Sequence, residues 1–270
     1  MKTKLYFFLF LLACSGQLLA QMQATNLANS LVGTWKMIAQ TGKNPEGKTL
    51  TTDLTKITQY KIITPTHWMF VSYNSDSLKG SGEGGAYTLQ GDKYVEALDW
   101  GKTDYTVKVA GDKFHMDGFI ILPDGKKGEL HEVYERVAEP ANQNSDLVGT
   151  WNRVMNYELK DGKKVPVTGL TSLHIMTPSH YMWVTKKAGN VEEAMVGTYT
   201  REGNKIIPVP IIATFPVGNG EKVEINITDL KPDKMVSTGK LTFPDGKTQE
   251  WEDTFHRVGK AKLAKAVSKK

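Results

Sequence analysis

The chain has 270 residues, of which 34 are lysine or arginine and 29 are aspartate or glutamate, for a formal net charge of +5. Seven of the lysines lie at the two ends, and residues 21–259 carry 27 basic and 29 acidic side chains. The nearly neutral charge of residues 21–259 excludes a basic surface that binds a nucleic-acid phosphate backbone, so we expect no nucleic-acid partner for the folded part. The C-terminal tail alone could touch a polyanion, or it is simply a solvated end; its lysines are Lys260, Lys262, Lys265, Lys269 and Lys270.

The first 20 residues have the pattern of a secretory signal peptide. Lys2 and Lys4 precede the apolar run Leu5–Ala13, and the segment ends in Gln17-Leu18-Leu19-Ala20, with a small residue at the cleavage position. We predict cleavage after Ala20 and export to the periplasm or the extracellular space. No other stretch is long and apolar enough to predict a spanning helix.

Cys14 is the only cysteine of the chain, and it leaves one alternative open. The run Leu11-Leu12-Ala13-Cys14 resembles the bacterial lipobox, in which cleavage leaves a lipidated cysteine on an outer-membrane lipoprotein. If cleavage instead follows Ala20, the mature protein has no cysteine. Disulfides, thiolate catalysis and cysteine-bound metals would then be excluded.

The rest of the chain contains one pattern twice. Leu31-Val32-Gly33-Thr34-Trp35 recurs as Leu147-Val148-Gly149-Thr150-Trp151, and Thr64-Pro65-Thr66-His67-Trp68-Met69 recurs as Thr177-Pro178-Ser179-His180-Tyr181-Met182. A repeat of about 115 residues indicates domain duplication, because solenoid repeats are much shorter. We therefore predict a first domain at 27–138, a linker at 139–145, a second domain at 146–258 and a basic tail at 259–270.

Each copy is predicted to be all-β. Short segments rich in Val, Ile, Thr, Tyr, Phe and Trp alternate with turn signals such as Asp161-Gly162 and Asp245-Gly246. The spacing predicts eight to ten antiparallel strands a copy, and a regular meander tends to close because closure removes unpaired edges. The predicted fold is two tandem antiparallel up-and-down β-barrels.

The start and end of each copy resemble the lipocalin and calycin superfamily, whose members begin with a Gly-x-Trp strand and pack a basic residue of the last strand over that Trp. The motifs as a whole are similar to tandem lipocalin-like domains of secreted proteins in Bacteroidetes-type bacteria, a group without an assigned activity. The resemblance implies a structural barrel base and a lumen that holds apolar or amphipathic ligands. The matching base residues are Gly33, Trp35 and Arg136 in copy one and Gly149, Trp151 and Arg257 in copy two.

Two histidines occupy equivalent positions and are ligand-binding candidates. An imidazole at His67 and again at His180 could hold a metal or haem, or act as an acid or base. The alternative is structural, in which each histidine bonds the Thr-Pro turn that it leaves. Alternation places Trp68 on the opposite strand face from His67, and Tyr181 opposite His180, but both faces are apolar and either could point inward. We expect the unmatched histidines His115, His131, His174 and His256 at the surface.

A pocket wall is predicted in copy one only, so this copy is the favoured binder. A carboxylate among aromatic side chains would orient a polar ligand head; the alternative is that Glu96 faces solvent. Copy two has Ile206–Pro210 here, and its two prolines predict an edge, a bulge or an irregular rim. The wall residues are Tyr87, Tyr94, Glu96, Leu98 and Trp100.

Catalytic motifs are missing from the sequence: there is no nucleophile elbow, zinc-protease helix, phosphate loop or dinucleotide fingerprint. The adjacent acids Glu192-Glu193 and Glu252-Asp253 are expected to be solvated. We therefore predict a non-enzymatic binder of a small hydrophobic or amphipathic ligand, with no metal or cofactor. The alternatives are barrels filled by their own side chains that contact a protein or a glycan, and, less strongly, a haem-handling or isomerase-like barrel centred on His67 or His180.

Overall fold

The computed structural model describes residues 26–99, 101–122, 124–139, 146–215 and 220–259. The predicted signal peptide with Cys14 and Ala20, most of the linker and nearly all of the basic tail lie outside these ranges. The described residues contain no helix long and apolar enough to cross a membrane.

Residues 33–136 form the first barrel, after a short helix at residues 26–31. The strands follow one another around a closed antiparallel sheet in which β1 also pairs with β9, and β2 is an extra strand on the edge of β1. The strands are β1 (Gly33–Lys43), β2 (Thr49–Thr51), β3 (Ile57–Ile63), β4 (His67–Asn74), β5 (Lys79–Gln90), β6 (Lys93–Leu98), β7 (Gly101–Ala110), β8 (Lys113–Ile121) and β9 (Lys127–Arg136).

The second barrel repeats this topology from Gly149 to Arg257. Its first strand pairs with its last, and one extra strand again extends the sheet. The prediction of two tandem up-and-down barrels is therefore confirmed, with eight strands in each closed sheet and one outside it. The strands are β10 (Gly149–Lys160), β11 (Lys163–Pro166), β12 (Leu170–Met176), β13 (His180–Lys187), β14 (Asn190–Glu202), β15 (Lys205–Ala213), β16 (Lys222–Leu230), β17 (Lys234–Thr242) and β18 (Thr248–Arg257).

A bulge in the first strand allows each barrel to close. The register of β1 against β9 shifts between Met37 and Ala39, and that of β10 against β18 shifts between Arg153 and Met155. A bulge bends its strand and increases the local twist. The first half of the strand therefore pairs with the third strand of its barrel and the second half with the extra strand.

The base of each barrel has the geometry that the resemblance implies. The guanidinium carbon of Arg136 lies 4.0 Å from the ring centroid of Trp35, and that of Arg257 lies 4.0 Å from Trp151. Each indole Nε1 donates 2.8 Å to a backbone oxygen four residues earlier, on Leu31 or Leu147. The stack closes the base without any reactive group.

A glycine is required beside each stack. Gly149 has a φ of 140°, which side chains rarely adopt, and a Cβ there would lie 2.6 Å from Nη1 of Arg257. We expect Gly149→Ala to lower the free energy of unfolding by about 2 to 4 kcal/mol, because it combines backbone strain with displacement of the stacked guanidinium. Urea denaturation measures the loss.

Gly246→Ala is the matched control for this substitution. Gly246 also has a positive φ, of 83°, but no atom lies within 4 Å of the position of its Cβ. This variant should therefore lose only about 1 kcal/mol, from the backbone alone. Equal losses in the two variants would refute the role of the Arg257 stack.

The two barrels meet along an apolar seam formed by the outer faces of their strands. Barrel one contributes Ile62, Met69 and Val71, and barrel two contributes Ile175, Met182, Val184, Ala194, Val196 and Ile212. Hydroxyl groups cross the seam in two equivalent pairs, Thr34 with Thr177 at 3.4 Å and Thr64 with Thr150 at 3.0 Å. Both barrels therefore share a buried core in addition to the core of each lumen.

Candidate functional site

The seam determines which face of β4 points into the first barrel. Trp68 and Phe70 pack in the lumen of that barrel, whereas Met69 and Val71 face the second barrel. In β13 the same alternation turns Tyr181 inward and Met182 and Val184 to the seam. Both faces of these strands are apolar because one lines a lumen and the other is covered by the partner barrel.

A buried ion pair lies in the lumen of barrel one. Nζ of Lys61, on β3, is 2.5 Å from Oε1 of Glu96, on β6, and the two side chains are only 2% and 4% exposed. The alternative that Glu96 faces solvent is therefore wrong. The ammonium also lies 5.0 Å from the ring centroid of Trp68 and 3.4 Å from Sδ of Met116. A charged pair is thus enclosed by aromatic and thioether groups.

Hydrogen bonds only partly satisfy the polar atoms beside this pair. Nε1 of Trp68 and the hydroxyl of Tyr94 are buried and form no hydrogen bond of regular geometry. Oε1 of Glu96 faces Lys61 but also forms none of regular geometry. A buried polar group without a partner costs about 1 to 3 kcal/mol. Tyr94 and Lys61 both lie against the Glu96 carboxylate, so the indole N–H of Trp68 is the unused donor next to the charged pair.

Burial controls the protonation of these groups. It raises the pKa of Glu96, and the nearby Lys61 ammonium opposes the rise. Burial also raises the pKa of Tyr94 well above its usual value, and the neighbouring Glu96 carboxylate adds to that effect. Tyr94 therefore stays a neutral phenol that can donate a hydrogen bond.

A second polar chain lies in the same lumen. Nε2 of Gln59 donates 2.7 Å to the hydroxyl of Tyr134, which donates 3.0 Å to Glu132. Glu132 also accepts from Nε2 of Gln40 at 2.7 Å. These side chains satisfy one another, so we assign them to the packing of the barrel.

The predicted pocket wall is brought together in part. The rings of Tyr87 and Tyr94 lie 4.9 Å apart, and Glu96 stands directly opposite Tyr87 in the pairing of β5 with β6. The Tyr87 hydroxyl donates 3.0 Å to the backbone oxygen of Thr64, and its pKa is raised to about 12 by burial. Leu98 packs beside them. Trp100 lies outside the described residues.

Lys61 does not stand out in the sequence as a site residue because of its strand pattern. Gln59 and Lys61 alternate along β3 as polar residues on a solvent-facing edge would. Their partners come from strands that are distant in sequence. The available signal was the matched position, since Lys61 corresponds to His174 in the second copy.

His67 and His180 close equivalent turns. The backbone N–H of His67 donates 3.0 Å to the Thr64 hydroxyl, and Nδ1 of its ring lies 2.8 Å from the Thr66 hydroxyl. His180 makes the same contacts with Thr177 and Ser179, at 3.1 and 2.8 Å. This geometry favours the structural interpretation of both histidines.

The lumen of barrel two is different. His174 was expected at the surface, but it packs between Trp183 and Phe255, with ring centroids 5.8 and 4.7 Å away. Burial lowers its pKa to about 3. Asp253, expected to be solvated, is also buried, and Nδ2 of Asn156 donates 2.7 Å to it. Adjacent strand residues alternate, so Glu252 points outward to Lys164 instead.

The prolines of β15 have the effect that the sequence predicts. Pro208 and Pro210 lie in a strand whose register against β14 shifts between Val196 and Gly197. The described pairing of β15 with β16 is limited to Lys205 with Asn226 and Ile206 with Ile225. The wall of barrel two is therefore irregular at this place.

A small cavity of about 160 Å³ lies outside the lumens, on the seam between the barrels. Lys186 of barrel two lines it and forms ion pairs with Glu83 and, at 2.7 Å, with Asp99 of barrel one. Across the described ranges, no three His, Cys, Asp or Glu side chains form a group that could hold a metal ion.

Comparisons with known proteins give no family. No family model and no curated protein matches the chain. Among solved structures it is similar to a protein of unknown function of the DUF3598 family from Nostoc punctiforme, with 13% identity, a TM-score of 0.30 and coverage of 87% of this chain and 98% of that one. It is also similar to bovine odorant binding protein, with 11% identity, a TM-score of 0.30 and coverage of 43% and 75%.

A third similar structure is a mutant of the vaccine antigen transferrin binding protein B from Haemophilus parasuis, with 7% identity, a TM-score of 0.25 and coverage of 83% of this chain and 75% of that one. With such low TM-scores, none of these likenesses bears on the function of this chain. The barrel architecture rests on the strand pairing described above.

Proposed function

We propose that the protein binds a small amphipathic ligand in the lumen of barrel one and does not catalyse a reaction. The observation that carries this proposal is the buried indole N–H of Trp68, which forms no hydrogen bond beside the Lys61–Glu96 pair. A ligand oxygen would accept from the Trp68 indole, and a ligand hydroxyl or amide would share the Glu96 carboxylate with Tyr94 and Lys61. The apolar part of the ligand would lie against the aromatic wall, where burial of its surface supplies affinity.

Native mass spectrometry of the protein purified from its own host tests this proposal. A small molecule present in the native spectrum and absent after denaturation is the expected result. The variant Trp68→Phe/Tyr94→Phe keeps two aromatic rings and removes both donors, so it should lose the adduct. A bare wild-type protein, or an adduct that the variant retains in full, would contradict the proposal.

A second candidate is an interaction module whose barrels need no ligand. The large side chains in the first lumen favour it, because Trp35, Trp68, Tyr94, Phe114 and Tyr134 are all fully buried. Water molecules would then serve the unpartnered polar atoms. The bare protein in the native spectrum is the result that this candidate predicts.

We also propose export as the setting of this function. The support is the charged, apolar and small-residue pattern of residues 1–20. The denatured mass from the same experiment tests it. A chain beginning at Gln21 indicates ordinary secretion, a lipidated chain beginning at Cys14 indicates an anchored lipoprotein, and an intact leader rejects export.

A further inference from the structure

Barrel two carries an aromatic wall that the proposed function does not use. The ring of Trp183 stacks on His174 at 5.8 Å and contacts Phe215 at 5.5 Å. Trp183 and Phe215 are partly exposed, unlike Trp151 and Phe255 at the base of the same barrel. The wall therefore presents a flat apolar surface that solvent, or a ligand, can reach.

A second indole lies on a neighbouring part of this lumen. Trp251 stands opposite Gly239 in the pairing of β17 with β18, and a Cβ at position 239 would overlap the indole ring. The absence of a side chain lets the ring lie flat across β17. Trp251 is also only partly buried. Glycine here thus permits an aromatic platform that any other residue would displace.

A row of polar side chains crosses the lumen next to these rings. Strand pairing places Arg153 opposite Ser172, Ser172 opposite Thr185, and Thr185 opposite Glu193. Ser172 and Thr185 are buried and lie 2.8 Å apart through their hydroxyls. Oγ of Ser172 also lies 3.0 Å from Nε2 of His174, so the middle of the row satisfies itself, and Arg153 and Glu193 at its ends are left to a ligand.

Arg153 is the member of this row whose hydrogen-bond donors are unused. Its side chain is only 14% exposed, and Nη1 lies 3.7 Å from Oδ1 of Asp253, beyond hydrogen-bond distance. No hydrogen bond of its guanidinium occurs within the described ranges. The Asp253 carboxylate and, along the row, Glu193 already balance its charge. A neutral ligand with hydroxyl groups therefore fits better than an anion.

The strand pairing of barrel two is interrupted next to these rings. Beyond Ile206 and Ile225 the described residues of β15 and β16 do not pair, and Pro208 and Pro210 lack the N–H groups that pairing needs. Phe215 follows the end of β15. The side of barrel two where the strands separate is thus the side that carries the aromatic wall.

We propose that barrel two holds a second binding site, for a ring that has an apolar face and several hydroxyl groups. The face of the ring stacks on Trp183, and its hydroxyls donate to Asp253 and accept from Arg153. Sugars and polyphenols share this chemistry. The site is independent of any ligand in barrel one, because it uses no residue of that lumen.

Titration of the full-length protein with cellobiose, maltose and catechin, up to about 10 mM and followed by the NMR signals of the indole N–H groups, tests this site. Binding of either sugar, with a shift of the Trp183 signal, supports it and identifies a saccharide. Binding of catechin with the same shift supports it and identifies a polyphenol. If none of the three shifts that signal, the proposal is overturned.

Barrel one provides the matched variants. Trp183→Phe and Arg153→Met each install the residue that barrel one has at the equivalent position, Phe70 and Met37. Each should weaken binding by about tenfold or more. Phe119→Leu, at an exposed position of barrel one outside both lumens, should leave binding unchanged. Equal weakening by Phe119→Leu, or unchanged binding in both barrel-two variants, would overturn the proposal, and thermal melting verifies that each variant is folded.

Discussion

Replacing Lys61 by methionine is expected to lower the free energy of unfolding by about 3 to 5 kcal/mol at pH 8. The substitution leaves the Glu96 carboxylate without the ammonium that lies 2.5 Å from it. An uncompensated buried charge is costly because protein surroundings solvate it poorly. Methionine has about the volume of lysine, so little of the loss should come from a cavity.

The loss should shrink as the pH falls. Burial raises the pKa of Glu96, and the ammonium that opposes this rise is missing in the variant. The folded state then binds the Glu96 proton more tightly than the unfolded state does, so protonation favours folding. The stability of the variant should therefore increase from pH 8 to pH 5, relative to the wild type.

Guanidinium denaturation at pH 8 and pH 5 measures both effects. The double variant Lys61→Met/Glu96→Gln should regain most of the stability, because it buries no charge. Lys205→Met is the control, since its pair with Glu224 at 3.2 Å is exposed and should contribute less than about 1 kcal/mol. A loss as small as that of the control, or one independent of pH, would refute the role of the buried pair.

Truncation of Met182 to alanine should lower the free energy of unfolding by about 2 to 5 kcal/mol. Met182 is fully buried in the seam, where it packs with residues of both barrels. Because the seam is a core that neither barrel completes alone, we expect both barrels to unfold in one transition. The variant should shift that transition as a whole.

Differential scanning calorimetry shows whether the two barrels unfold in one transition. Met155→Ala is the control, because Met155 is 47% exposed on β10 of the same barrel and should change the stability by less than about 0.5 kcal/mol. Met69→Ala, on the opposite side of the seam, should behave like Met182→Ala. Two separate transitions in the wild type, or a shift confined to one of two, would mean that the barrels fold independently.

Most of the fold could be predicted from the sequence because its signals are local. Turns such as Asp161-Gly162 fix the hairpins, and the repeated Gly-Thr-Trp motif marks the first strand of each barrel. The inward face of β4 could not be predicted. His67, Met69 and Val71 are buried on one side by another barrel, and alternation alone does not distinguish a lumen from a seam.

Only those residues of the candidate site that lie close together in the sequence could be predicted as neighbours. Tyr87, Tyr94 and Glu96 belong to one hairpin, so their proximity follows from strand alternation. Lys61 comes from a strand that does not pair with β6, and its contact with Glu96 exists only across the closed lumen. The same reason explains the wrong expectation for His174, which looks like a surface residue until its barrel closes around it.

The seam has the symmetry of a two-fold homodimer. Thr34 meets Thr177, the equivalent of Thr64, and Thr64 meets Thr150, the equivalent of Thr34. In the same way, Ile62, Met69 and Val71 face a surface that contains their equivalents Ile175, Met182 and Val184. Such an isologous contact constrains both copies at once, because each residue serves on both sides of the axis. The lumens carry no such constraint. A single-barrel ancestor that paired with itself and was then fused would keep these shared seam residues and let its two interiors diverge, as Lys61 and His174, or Met37 and Arg153, have done.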